Sequence, residues 1–127
     1  MKTGELIKRV DESRHIPFVV NAASQEWTIN IDAYHARRKI TNWLASEVAM
    51  GLMGHTATLV LAERSYWRIG VVLTSSKGIR GEVGTVNVDA DTGEMMLTPE
   101  LGESLLQAAS ALISQQKNHE LAAQPTT

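Results

Sequence analysis

Apolar and polar residues alternate over 27–31, where Trp27, Ile29 and Ile31 are separated by Thr28 and Asn30, the two-residue period of a half-buried strand. Asp32 follows with an oxygen suited to capping a helix. Over 33–50 the period changes: Ala36, Ile40, Trp43, Leu44 and Val48 recur at spacings of three and four, with Arg37, Arg38, Lys39, Asn42, Ser46 and Glu47 between them. That spacing predicts an amphipathic helix. Gly51 is placed to end it in the left-handed conformation, and 51–55 reads as a connection.

Period-two patterning then returns. Ala57, Leu59 and Leu61 form one strand face, and Trp67, Ile69, Val71 and Leu73 form another, leaving 63–65 for a tight hairpin. The polar, glycine-bounded "SSKGIRG" (75–81) reads as a loop, after which Val86 and Val88 mark a third strand and "EMML" (94–97) a fourth. Thr98-Pro99 predicts a helix start, with the threonine hydroxyl capping and proline at the first position, and the helix is expected to end near Ser114. Upstream, Leu6, Ile7 and Val10 suggest one side of a short helix, and "FVVNA" (18–22) a brief extended segment beyond Pro17. The expected class is α+β, a helix packed on a four-stranded antiparallel meander with a C-terminal helix. The expected division is an extension over 1–31, a core over 32–114 and a flexible tail over 115–127.

Composition narrows the function more than the fold. A chain of 127 residues with 43% hydrophobic and 20% charged content fits one domain, and a net charge of −2 argues against a nucleic-acid partner held by bulk positive charge. The absence of cysteine removes disulfides, thiolate metal sites and cysteine nucleophiles together. No stretch approaches the ~20 apolar residues of a membrane span, and the first residues lack the apolar run of a secretory signal, so a cytoplasmic protein without membrane contact is expected.

The densest polar chemistry lies in "VGTVNVDADTGEMML" (83–97). Asp89 and Asp91 fall at the first and third positions of a calcium loop, with Glu100 where its closing ligand would be. Gly93 and Glu94, however, occupy the fifth and sixth positions, where such a loop needs an oxygen ligand and then glycine. A bulged hairpin turn accounts for every residue: Asp89 accepts local N–H groups, Asp91 and Thr92 make the bend, and Gly93 takes positive φ. The histidines, His15, His35, His55 and His119, share no ligand spacing. The Arg37-Arg38-Lys39 cluster with Tyr34 and His35 spreads over most of a helix circumference and reads as a solvated face. Ser65, Ser75 and Ser76 have no nucleophile setting, and "KGIRGEVG" has the wrong spacing for a phosphate loop. No catalytic, metal or cofactor residue is therefore assigned, and the chain is not expected to be an enzyme.

Over 40–97 a helix, a hairpin, the aromatic-led "YWRIGVVL" and "VGTVNVDADTGEMM" together resemble the PepSY-type repeat, which commonly closes on a strand, an Asp-Ala pair and Thr-Gly-Glu or Thr-Gly-Lys. The matching residues are Asp89-Ala90 and Thr92-Gly93-Glu94. Members of that family are mostly exported or membrane-attached, often with inhibitory or regulatory roles, so the resemblance implies a regulatory binding module. The same strand and turn are similar to small bacterial partners of nuclease toxins, which implies an antitoxin-like partner.

Two surfaces stand out as candidates for such binding. Leu101, Leu105, Ala108, Ala109, Leu112 and Ile113 form a stripe on the C-terminal helix that a small sheet would not fully cover, pointing to a protein partner or a homo-oligomer. Trp27, near a predicted edge, is the candidate aromatic anchor. Trp43 and Trp67 are expected in the core. The competing expectation is a small ligand held in a pocket between helix and sheet.

Overall fold

The computed structural model describes residues 5–10 and 14–123, with side chains described through Gln116. The class is α+β. A five-stranded antiparallel sheet has the order β1 (Leu6–Lys8), β4 (Leu52–Leu61), β5 (Ser65–Ser75), β6 (Gly78–Asp89), β7 (Met95–Met96). A separate hairpin joins β2 (Phe18–Ala22) to β3 (Gln25–Ile29). Helices α1 (Ala33–Trp43) and α2 (Leu101–Ala123) complete the structure.

The expected pairing of 57–62 with 66–74 is present, with Leu59 opposite Trp67 and Ala57 opposite Ile69. Asp32 caps α1 by accepting the His35 N–H at 2.7 Å. The helix closes in a π-helical turn, Leu44–Val48, and Gly51 follows at φ +93°. Ala36, Ile40 and Leu44 face Leu59, Trp67, Ile69, Val71, Val86 and Val88 in one apolar cluster, joined from α2 by Leu105 and Ala109. The wider sheet resolves the packing problem posed by the α2 stripe, because β6 carries two glycines where the helix crosses. A Cβ at Gly84 would come 2.8 Å from Leu105 Cδ2, and one at Gly81 would come 2.8 Å from Leu112 Cδ2. These glycines are seats for leucines, an interior role for strand glycine.

Several expectations are corrected. Leu6 and Ile7 lie on an edge strand, not a helix, since Leu6↔Leu61 through Lys8↔Leu59 pair antiparallel and the chain gains a ladder there that three residues could not supply as a helical turn. The sheet therefore has five strands rather than four. β4 begins at Leu52 and β6 at Gly78, so most of the two expected loops, 51–55 and 75–81, is strand. The register shifts between Gly54 and Thr56, and again at Val71/Val72 and Leu73/Thr74 against β6. Each bulge inserts one residue and flips the side-chain parity, which hides the alternation in sequence. α2 starts at Leu101, whose N–H meets the Thr98 carbonyl at 3.2 Å, and runs through Ala123, beyond its expected end. The expected tail over 115–127 is thus helical through Ala123, and its last four residues lie outside the described ones.

Candidate functional site

The turn that follows β6 is built as its composition suggests. Asp89, 4% exposed, uses Oδ1 to accept the N–H groups of Asp91 at 2.8 Å and Thr92 at 2.9 Å, and its Oδ2 lies 3.4 Å from Arg64 Nη1. Gly93 takes φ +79° and donates its N–H to the Asp89 carbonyl at 2.8 Å. The neighbours of this turn come from the whole molecule. The Ala90 carbonyl accepts the N–H groups of Asn30 at 2.8 Å and Ile31 at 3.1 Å, the Ala90 N–H donates to Ser65 at 3.0 Å, and Lys39 of α1 donates to the Gly93 carbonyl. Among the described residues no group of three His, Cys, Asp or Glu side chains is positioned to hold a metal.

Beside this turn the β2–β3 hairpin stands over the β4–β5 turn. Trp27, 6% exposed, donates its indole N–H to the Ala62 carbonyl at 2.8 Å, Gln25 Nε2 approaches the same oxygen at 3.4 Å, and the Ser65 hydroxyl donates to the Thr28 carbonyl at 3.4 Å. Two adjoining hollows result. One, of about 320 Å³, runs between β3 and residues 63–65 to Asp89, Asp91 and Thr92. Its wall carries four carboxylates, Glu26, Glu63, Asp89 and Asp91, against the single guanidinium of Arg64. The other, of about 230 Å³, is apolar and lies among Leu6, Ala23, Trp27 and Leu61. Trp27 and Gln25 border both. By their linings the first hollow suits a cationic group and the second an apolar one.

The sequence candidates are distributed as follows. Trp27 sits at the centre of the cleft. Leu105 and Ala109 are buried against the protein's own sheet; Leu101, Ala108 and Leu112 are half-buried, and Ile113 faces outward with Leu106 seven residues before it. The space between α1 and the sheet, the expected ligand pocket, is filled by Ile40, Leu44, Leu59 and Ile69, all fully buried. Of the basic cluster, Lys39 is engaged with Gly93 and Arg37 Nη1 reaches the His55 carbonyl at 3.4 Å. Glu26, Glu63, Arg64 and Ser65 were not singled out by sequence as a site. Their signal was the Ala23-Ser24 turn of the hairpin, which has positive φ at both positions without the Asn or Gly that usually announces it.

No helix among the described residues is long and apolar enough to cross a membrane. Comparison with known proteins found no matching family model, no matching curated protein and no matching solved structure.

Proposed function

We propose that the protein is a non-enzymatic protein-binding module, of an inhibitor-like or regulatory kind, and that it recognises its partner in the cleft between the β2–β3 hairpin and the β4–β5 turn. The observation that carries this is the pairing of an acidic hollow with an apolar one on either side of a buried tryptophan. Interfaces concentrate their energy in a few anchored contacts around aromatic residues, with polar groups at the rim setting specificity. The turn supporting the cleft is fixed from several elements, so little ordering entropy is lost on binding. The PepSY-like stretch over 40–97 supports the regulatory sense, and two of its turn residues, Asp89 and Thr92, line the acidic hollow.

The test is a photoreactive amino acid placed at Glu63 and, separately, at Ile113, with irradiation in lysate. Protein adducts formed from the Glu63 site are the expected result. Adducts formed from Ile113 alone would move recognition to α2 and overturn the assignment. A small-ligand alternative draws support from the apolar hollow, and a small molecule retained in native mass spectrometry, displaced by filling that hollow with Ala23→Leu, would favour it.

A further inference from the structure

The hairpin contributes a feature that defines the form of the partner, an inference that rests on the cleft being the recognition surface. Its two-residue loop pairs Ala22 with Gln25, and the register continues through Val20↔Trp27 and Phe18↔Ile29. In such a hairpin the pair next to the loop exchanges both hydrogen bonds, and bonded and non-bonded pairs then alternate. Glu26 and Thr28 are therefore in non-bonded pairs, with their backbone N–H and C=O groups directed away from β2. On that outer edge the Thr28 carbonyl accepts the Ser65 hydroxyl. Among the described residues nothing answers the Glu26 N–H, the Glu26 carbonyl or the Thr28 N–H. This edge borders the acidic hollow.

We infer that β3 receives an extended, basic segment of a partner protein as an added strand, with cationic side chains meeting Glu26 and Glu63. An edge within a cleft that leaves the Glu26 N–H, the Glu26 carbonyl and the Thr28 N–H unanswered among the described residues, beside the occupied Thr28 carbonyl and Asn30 N–H, offers strand addition three main-chain bonds. In that mode main-chain bonds supply affinity and alternate side chains supply specificity. Charge chooses the occupant. Two copies of this edge brought together would crowd two sets of the same carboxylates, Glu26 and Glu63, into one cleft, and like charges across a strand pair are unfavourable. A lysine or arginine strand instead meets the three exposed carboxylates of the wall, Glu26, Glu63 and Asp91, while Asp89 is already engaged by the turn and by Arg64. Successive residues of an added strand point to opposite faces, so every second residue lies on the Trp27 face and the residues between lie beside Glu26 and Thr28. The recognised pattern is alternating apolar and cationic.

The probe is a capped seven-residue peptide alternating lysine and valine, titrated into the isotope-labelled full chain. Controls are the same peptide with glutamate for lysine, and two versions N-methylated at alternate residues in the two phases. The lysine peptide is expected to shift and protect the Glu26 and Thr28 amides, while the glutamate peptide does not bind. At least one N-methylated phase should lose binding. Glu26→Lys together with Glu63→Lys, both on exposed residues, should weaken the lysine peptide by about tenfold and flatten its salt dependence. Binding of both N-methylated peptides at these residues with undiminished affinity would refute strand addition while leaving the cleft as the recognition surface. Failure of the lysine peptide to bind at millimolar concentration would refute the basic extended partner, whereas failure of the cleft itself would show in the cross-linking from Glu63.

Discussion

Lys39 on α1 donates its ammonium hydrogen to the carbonyl of Gly93, in the turn closing β6, across 54 positions of sequence. A charge-assisted bond of this kind joins a helix to a turn that no backbone ladder connects to it. Lys39→Met retains most of the aliphatic stem and removes the donor. It should cost about 1 kcal/mol, the net value of one such hydrogen bond, read as a fall in urea midpoint at unchanged slope. Gly93→Ala should cost more, about 1–3 kcal/mol, because an L-residue at φ +79° is strained and its Cβ would come 3.2 Å from Lys39 Nζ. If Gly93→Ala is as stable as the parent, the turn is not the clasp described.

The packing of α2 on glycines makes a coupled prediction. Leu105→Ala should destabilise by about 2–5 kcal/mol through lost burial and the cavity left behind. Gly84→Ala should destabilise by about 1–3 kcal/mol, since its Cβ would meet Leu105 Cδ2 at 2.8 Å. Together the two changes should cost less than their sum, because the added methyl enters the space the leucine vacates. A double-mutant cycle by chemical denaturation measures this coupling, and strict additivity would contradict the seat geometry.

Residues such as these show which features were legible beforehand. Asp32 as a cap, the α1 stripe and the pairing of 57–62 with 66–74 follow from local periodicity, and the structure contains them, though its register, Leu59 opposite Trp67 and Leu61 opposite Ser65, differs from that of a 63–65 loop. Gly81 reads as a loop residue because glycine signals bends locally, and nothing near Gly84 announces a helix crossing, while the leucines that need the space lie over twenty residues further on. His55 breaks the alternation at a bulge, so half of β4 was invisible. The cleft was the least legible feature. Trp27 was identifiable as a possible anchor, but Glu26, Glu63 and Asp91 converge only through the placement of the hairpin over the sheet, which no local period encodes.

The β2–β3 turn offers a stabilising change. Ala23 at φ +49° and Ser24 at φ +61° occupy a conformation that favours Asn and Gly. Ala23→Asn with Ser24→Gly should relieve about 1–2 kcal/mol of strain and raise Tm by about 3–6 °C. Thermal unfolding by circular dichroism is the measurement. An unchanged or lower Tm would mean that Ala23 contributes more through its contact with the apolar hollow than its backbone conformation costs.

Acid stability should carry the signature of Asp32. Burial pushes this carboxyl upward, but the His35 backbone N–H, the His35 ring at 2.7 Å and its charge outweigh that effect and hold the group below its ordinary value of 3.8. A carboxyl depressed in the folded state favours folding in its ionised form. Its contribution is therefore complete above the unfolded value and is lost as pH falls below it, through the lower folded value. Asp32→Asn keeps a capping oxygen and removes the charge, so the gap between parent and variant should shrink as pH falls below about 4. Asp32→Ala removes the cap as well, and should cost about 1 kcal/mol more or less independently of the acid limb. Urea midpoints at stepped pH separate the two effects. A gap between parent and Asp32→Asn that stayed the same from neutral pH to the lowest pH at which the protein folds would show that the His35 interactions do not act on the Asp32 charge.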